Sequence, residues 1–292
     1  MARRARSESG QSTVEWVGLV LVVSLAVAAL GALAGVALPG AGLASAIGSR
    51  MLCAVGLDGT CSTLEESKLA IVYGEELAAL LADHAPTLIY EEGMRELPID
   101  FRDCREDACS ISSQGDSAWR TDRGLPVTAF VHAIDCRGAA AATGRCADER
   151  AGRLYLQYWL YYPDSQTEPF GERGYHRDDW ESFQVRIGEQ AEARASSHHS
   201  YNYGGGVSNW PSDAGVDTKS AWGPFTGELH VSSGSHAGHV LDERSAHRRT
   251  PAARLRLLPL EGLKPSDRAT QFAVTPPWEK RVWSDPEYEG TD

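Results

Sequence analysis

The sequence has no excess of positive charge, since 28 lysines and arginines face 40 aspartates and glutamates, for a net charge of −12. Nucleic-acid binding needs a concentrated basic surface, so the composition excludes nucleic acid as a partner. The sequence also lacks a paired C-x-x-C, which argues against a zinc site built on its six cysteines. No internal repeat is present either, and 292 residues suffice for one large domain or two smaller ones.

A single long apolar run is present, close to the N-terminus. Residues 14 to 38 contain only one charged residue, Glu15, and exceed the roughly 20 residues that a membrane-spanning helix needs. Three arginines precede the run, so the positive-inside rule predicts a cytoplasmic N-terminus and an extracytoplasmic remainder. We therefore predict a single-pass protein of the cell membrane.

The start of this run resembles a known export signal. The residues Gly10-Gln11-Ser12-Thr13-Val14-Glu15 followed by an apolar stretch are similar to the class III signal of type IV pilin-like proteins of the Tad/Flp type. The resemblance implies that residues 1 to 10 are a leader cut after Gly10, that residues 11 to 38 stay on the mature protein, and that Glu15 assists assembly with pilin-like partners. An ordinary signal anchor, or a secretory signal cut after Ala34, is the alternative.

The cysteines agree with an oxidising compartment. They form three near neighbours along the chain, and local pairing is the simplest connectivity. The predicted disulfides are Cys53 with Cys61, Cys104 with Cys109, and Cys136 with Cys146.

The remainder divides by composition and periodicity. Residues 39 to 62 are rich in Gly, Ala and Ser and read as a linker, and residues 63 to 85 have apolar positions at helical spacing until Pro86 ends the pattern. We predict a short amphipathic helix there, either packed on the domain or extended as a stalk.

Residues 86 to 292 show short strand patterns separated by turns, which predicts a mainly β domain of the sandwich or jelly-roll kind. The strand at 154 to 162 is apolar on both faces and should be central. The predicted strands cover residues 87–91, 127–134, 154–162, 180–187, 229–233 and 255–260.

A cluster of charged residues lies at the start of the strand pattern that begins near Asp179. From there the residues alternate, so Asp179 and Glu181 share one face with Phe183 and the apolar residues that follow. Two carboxylates at the rim of a core, with His176 arriving from the preceding loop, could form a cation site, an acid/base pair or a salt-bridge cluster. Oxygen ligands with one imidazole suit calcium, magnesium or manganese. In the salt-bridge alternative, the acidic residues pair with Arg173, Arg177 or Arg186.

Two later loops carry histidines that could reach these carboxylates. His199 lies in a Ser-His-His-Ser stretch, and His236 lies in Gly-Ser-His-Ala-Gly. His236 could instead be hydrogen-bonded within a tight turn. The second motif is not a serine nucleophile elbow, because His236 stands where the serine should be.

Together these motifs resemble a wider group that contains the vacuolar protein sorting-associated protein 62 family and the necrosis-inducing NLP cytolysins. The NLP heptapeptide Gly-His-Arg-His-Asp-Trp-Glu is represented here by residues 175 to 181, with Tyr175 for the glycine and Asp178 for the second histidine. The resemblance implies a β fold and a divalent cation held by His176, Asp179 and Glu181, with Glu168 or Asp164 as an upstream acid.

The sequence therefore favours a membrane-anchored or pilus-associated extracytoplasmic protein whose β-domain binds a divalent cation and, through it, a glycan or lipid head group. A metal-dependent hydrolase is the second hypothesis, with His199 or His236 as general acid or base. The third is a structural minor pilin or adaptor without an active site.

Overall fold

A computed structural model describes residues 64 to 138, 144 to 166, 174 to 196, 201 to 203, 222 to 241, 248 to 288 and 290. The predicted leader, the apolar run of residues 14 to 38, the linker and the Cys53–Cys61 pair lie outside these ranges. Within the described ranges, no helix combines the length and the apolar character that crossing a membrane requires.

The helical region consists of two helices, α1 (Leu64–Tyr73) and α2 (Glu75–Asp83). Gly74 separates them with a φ of 80°, a left-handed conformation that favours glycine. The predicted helix of residues 63 to 85 is thus interrupted once. Leu69 and Leu81 are buried in the main core, so this region packs on the domain through its apolar face. A third helix, α3 (Pro265–Arg268), is a single turn.

The strands form two sheets. The smaller has the order β10-β1-β8-β9, in which β1 and β8 run parallel. The larger has seven strands in the order β11-β2-β3-β4-β5-β6, with β7 also paired to β5. The strands are β1 (Thr87–Tyr90), β2 (Thr128–Asp135), β3 (Leu154–Gln166), β4 (Tyr175–Ile187), β5 (Ala191–Ser196), β6 (Tyr201–Asn202), β7 (Gly223–Pro224), β8 (Glu228–Val231), β9 (Gly238–His239), β10 (Arg248–Thr250) and β11 (Arg256–Pro259).

The large sheet is buried on both faces. One face packs against the small sheet and α1–α2, and its Tyr158 and Phe183 belong to the same core cluster as the apolar residues of β1 and β8. The opposite face carries Trp159 and Trp180 and is covered by irregular segments before β2 and after β11. Because a strand exposes alternate residues to opposite faces, the alternation predicted from Asp179 onward holds in β4.

The prediction of a mainly β sandwich is confirmed, and β3 is central as expected. All six predicted strands are present, but β3 and β4 extend further towards the site, by four and five residues respectively. The strands β5, β6, β7, β9 and β10 were not predicted. The disulfides Cys104–Cys109 and Cys136–Cys146 are formed as predicted.

Candidate carboxylate and histidine site

The site lies at the end of the long antiparallel pair of β3 and β4. Tyr162 pairs with Asp179, and Leu160 pairs with Glu181, so these side chains share the face that points towards the small sheet. Asp164 follows on the same face two residues after Tyr162. The strand register alone therefore gathers three carboxylates and one phenol at one end of the inter-sheet space.

Asp178 faces the other way and is fully paired. Arg105 donates from Nη2 to both of its carboxylate oxygens at 2.8 Å, the Tyr161 hydroxyl donates at 2.6 Å, and the Ala273 amide donates at 2.9 Å. Burial by itself raises the pKa of Asp178, but these hydrogen bonds outweigh burial and hold the pKa below its ordinary value. With φ at 58°, Asp178 also bends the strand just before the site.

Asp179 is held by His236. The His236 Nδ1 atom donates a hydrogen bond of 2.9 Å to Asp179 Oδ2, and both side chains are nearly inaccessible to solvent. The imidazole stacks on the Tyr162 ring with 3.8 Å between centroids and 4° between planes. Its other nitrogen, Nε2, is buried and has no hydrogen-bond partner among the described residues.

The turn between β8 and β9 places this histidine. The His236 amide donates to the Ser232 carbonyl at 3.1 Å, and His236 adopts a left-handed φ of 55°. Gly234 in the same turn has a φ of 76°, and its carbonyl accepts from the Gln166 amide at 2.8 Å. Both interpretations of His236 thus apply, since it is a tight-turn residue and also contacts the predicted carboxylate.

Glu181 is the most perturbed acid of the site. Burial first, and then the nearby Asp179 carboxylate, raise the pKa of Glu181 well above its ordinary value, while Lys280 acts in the opposite direction. The Ser196 hydroxyl on β5 donates to its Oε2 atom. No described residue forms an ion pair with Glu181 within salt-bridge distance, and Lys280 acts on it only from further away.

Asp164 adds a third carboxylate near the end of the β3–β4 pair. Burial, together with the carboxylates of Asp107, Glu96 and Asp179, raises the pKa of Asp164, while His236 acts in the opposite direction. Like charges that raise one another's pKa disfavour the fully ionised site in the absence of a counter-ion. Among the described residues, the site formed by Asp164, Asp179 and Glu181 therefore has more negative than positive groups.

Of the arginines expected in the salt-bridge alternative, the two that the structure describes, Arg177 and Arg186, form no ion pair with Asp179 or Glu181. Arg186 pairs with Glu192 and Glu287, Arg177 is exposed without an ion pair to a described residue, and Arg173 lies outside the described residues. A salt bridge does form at Asp178, but with Arg105 from a distant loop. Among the described residues, Asp178 is therefore paired with an arginine, Asp179 with a histidine, and Glu181 with neither.

The predicted ligands are only partly gathered. His176 is exposed on the opposite face of β4, where its Nδ1 atom donates to the Asp178 carbonyl at 3.0 Å. Glu168 and His199 lie outside the described residues. Within the described ranges, the one group of three or more His, Cys, Asp and Glu residues with ligand atoms all within 4.8 Å of one another is Cys104, Glu106 and Cys109. Those cysteines are joined in a disulfide and offer no thiolates.

Arg105, Tyr162 and Ser196 contact the site but were not among the residues predicted for it. Tyr162 could have been found by pairing the two predicted strands so that their charged ends meet. Ser196 lies on a strand that was not predicted, and no local pattern links Arg105 to Asp178.

No protein-family model matches the chain, and no curated protein sequence matches it. Its structural neighbours are NLP toxin-fold proteins. A complex of NLPPya with mannosamine shares 19% identity over 70% of this chain and 85% of that one, with a TM-score of 0.38. A structure described as a toxin fold for microbial attack and plant defense shares 17% identity over 70% of this chain and 86% of that one, with a TM-score of 0.39. Non-toxic HaNLP3 shares 13% identity over 68% of this chain and 82% of that one, with a TM-score of 0.35. At these TM-scores the likeness carries no argument about function.

Proposed function

We propose that the β-domain binds a divalent cation through Asp179 and Glu181 and uses the bound cation to recognise a polar ligand, a glycan or a lipid head group. The observation that supports this most is the pair of neighbouring carboxylates, which form no ion pair with a described lysine or arginine and one of which, Glu181, has a strongly raised pKa. A divalent cation between them supplies the missing charge and favours the ionised form of both.

The oxygen atoms available for a cation can be named. Asp179 Oδ2 accepts from His236 and Glu181 Oε2 accepts from Ser196, which leaves Asp179 Oδ1 and Glu181 Oε1 without a described protein donor. Asp164 lies on the same face, but the oxygens of Asp164, Asp179 and Glu181 do not all lie within 4.8 Å of one another, so Asp164 would have to shift to act as a third ligand. In this proposal His236 is a positioning residue that fixes the Asp179 carboxylate. Glu168 and His176 remain proposed ligands.

The proposal includes the N-terminal region. An apolar anchor at residues 14 to 38, processed after Gly10 or retained, would hold the cation-binding domain at the extracytoplasmic surface. Glu15 would then contact pilin-like partners, and the ligand site would face glycans or lipid head groups outside the cell.

A metal-assisted hydrolase is the second candidate, because the Asp179–His236 pair has the form of an oriented general base. Asp179 fixes the Nδ1 side of the ring, while Nε2 is without a partner. Hydrolysis of phosphate esters or of glycosidic bonds that is lost in His236→Asn, with cation binding retained, would distinguish this function from binding alone.

Thermal unfolding of the full chain in detergent tests cation binding directly. Wild type is compared in chelator and in calcium, magnesium or manganese with the double variant Asp179→Asn/Glu181→Gln. A cation at 100 times its dissociation constant adds about 2.7 kcal/mol to the free energy of unfolding. We expect this gain in wild type and in the control Glu149→Gln/Glu189→Gln, whose carboxylates are exposed elsewhere. An equal response of both double variants would refute the site.

A further inference from the structure

A second polar site lies on the opposite face of the large sheet, around the carboxylate of Glu287. The Tyr155 hydroxyl donates to Glu287 at 2.7 Å, Trp222 Nε1 at 2.8 Å and Arg153 Nη1 at 3.0 Å. Arg186 Nη1 reaches both carboxylate oxygens, at 3.1 and 3.2 Å. Only 11% of the Glu287 side chain is exposed. We call these four donors and the carboxylate position that they surround the Glu287 pocket.

Arg194 lies beside this pocket, against the Trp222 ring. It is fully buried, and its guanidinium lies between the rings of Tyr201 and Trp222, at 4.4 and 4.3 Å from their centroids. Its Nη2 atom donates to the carbonyls of Pro286 and Tyr288, at 2.7 and 3.0 Å. Its Nη1 atom is buried and has no hydrogen-bond partner among the described residues.

The charges of the pocket do not cancel. Arg153, Arg186 and Arg194 bring three positive charges, while Glu287 and the Arg186 partner Glu192 bring two negative ones. Burial lowers the pKa of Arg194 to about 10, so the guanidinium stays charged at neutral pH. A positive excess, enclosed by aromatic rings within a protein of net charge −12, favours the binding of an anion.

The donor set matches the chemistry of a planar oxyanion. Two guanidinium groups, a phenol and an indole N–H converge from the β3–β4 pair and from the segment before β7 on two oxygen atoms. Charge-assisted bonds of this kind are the strong ones in proteins. If the only role of these contacts were to hold residues 286 to 288 on the sheet, the two hydrogen bonds from Arg194 to backbone carbonyls would be enough.

We propose that the Glu287 pocket is an oxyanion-binding site of the carboxylate class, which the protein fills with its own Glu287 side chain. Residues 286 to 288 thus bind the sheet as a peptide ligand binds a receptor. A free carboxylate takes the same place when the Glu287 side chain is removed, because the donors, the buried charge and the aromatic walls belong to the sheet and to Trp222.

The test uses full-length protein in detergent and acetate as the probe. Thermal unfolding is followed against acetate at constant ionic strength, for wild type, Glu287→Ala and the control Asp285→Ala. Asp285 is a carboxylate of the same segment, but it pairs at 2.7 Å with Arg150, outside the pocket. We expect a saturable rise of Tm with acetate in Glu287→Ala, and little change in wild type and Asp285→Ala. Acetamide, which has the same shape without charge, should give no rise.

A second readout follows the pocket itself. The Trp222 indole N–H resonance, assigned with Trp222→Phe, should move in Glu287→Ala and return towards its wild-type position as acetate is added. The proposal is overturned by the same acetate response in all three proteins, or by equal effects of acetate and acetamide.

If Glu287→Ala does not fold, the proposal can still be tested by refolding. Refolding is then compared in acetate and in chloride, where recovery in acetate alone supports the site and recovery in neither overturns it. Glu287→Gln provides a further check, since its amide fills the same space and should block the acetate response. An acetate response of Glu287→Gln as large as that of Glu287→Ala contradicts a pocket of defined size.

Discussion

The Nδ1 atom of His236 lies 2.9 Å from Oδ2 of Asp179, and this hydrogen bond joins the two sheets of the sandwich. His236 belongs to the turn between β8 and β9 of the small sheet, while Asp179 lies on β4 of the large one. The two residues are 57 positions apart in the chain. A carboxylate that is almost fully buried thus obtains its hydrogen-bond donor from the opposing layer, so the site requires both sheets to be in place.

Replacing His236 should destabilise the domain. His236→Asn keeps a residue that tolerates the left-handed φ of 55°, but it removes the donor to Asp179 and the ring stacked on Tyr162. Leaving a buried acceptor unsatisfied costs about 1–3 kcal/mol. Urea unfolding in chelator measures this loss. His176→Asn is the control, since that histidine is exposed, and a loss of the same size there would contradict the structural role of His236.

The Arg105–Asp178 pair should behave as a buried ion pair with a clear pH signature. Arg105→Met leaves the Asp178 charge without its main partner, and we expect a loss of about 3 kcal/mol at neutral pH. The double variant Arg105→Met/Asp178→Asn should recover part of that loss, because no charge is then left buried. A double-mutant cycle from urea unfolding measures the coupling, and additive effects would show that the pair is not coupled.

The pH dependence of this pair follows from the sign of the pKa shift. The folded-state pKa of Asp178 is below its ordinary value of 3.8, so the associated stability is complete above that value. It is lost as the pH falls through the lower folded-state pKa. The double variant should lack this contribution, and parallel acid profiles for wild type and double variant would refute the assignment.

The sequence predicted the part of the site that depends on local alternation. Asp179 and Glu181 share a face because β4 is a regular strand, and the two described disulfides join near neighbours in the chain. Arg105 and His236 could not be assigned to their partners, because those contacts depend on how loops fold over the sheets. Ser196 was missed because Ala191–Ser196 contains small and charged residues with weak strand propensity.

Glu181 should make the protein less stable as the pH rises. Its folded-state pKa is above the ordinary value of 4.5, so the folded state holds a proton that the unfolded state releases. In chelator, stability should therefore fall between the ordinary pKa and the raised one, by up to about 1.4 kcal/mol per pH unit. Glu181→Gln should abolish this slope and be more stable than wild type above that range. The exposed control Glu149→Gln should retain this slope. If the slope also persists in Glu181→Gln, another titratable group causes it.

The turn that carries His236 depends on Gly234. A Cβ atom at this position would lie 2.3 Å from the Gln166 backbone oxygen, and the φ of 76° disfavours any side chain. Gly234→Ala should therefore cost about 2 kcal/mol or more, because the clash is with backbone of β3 that cannot rotate away. Gly115→Ala is the matched control, since a Cβ atom there meets nothing within 4 Å.

The same clash should move His236 away from Asp179, so the two sites should be energetically coupled. In the Gly234→Ala background, His236→Asn should then add much less than it costs in wild type, because the hydrogen bond to Asp179 is already weakened. A urea-unfolding cycle over the two single variants and the double variant measures this. Strict additivity would mean that Gly234 supports the turn without positioning the histidine, and that the Asp179–His236 contact withstands a shift of the loop that carries it.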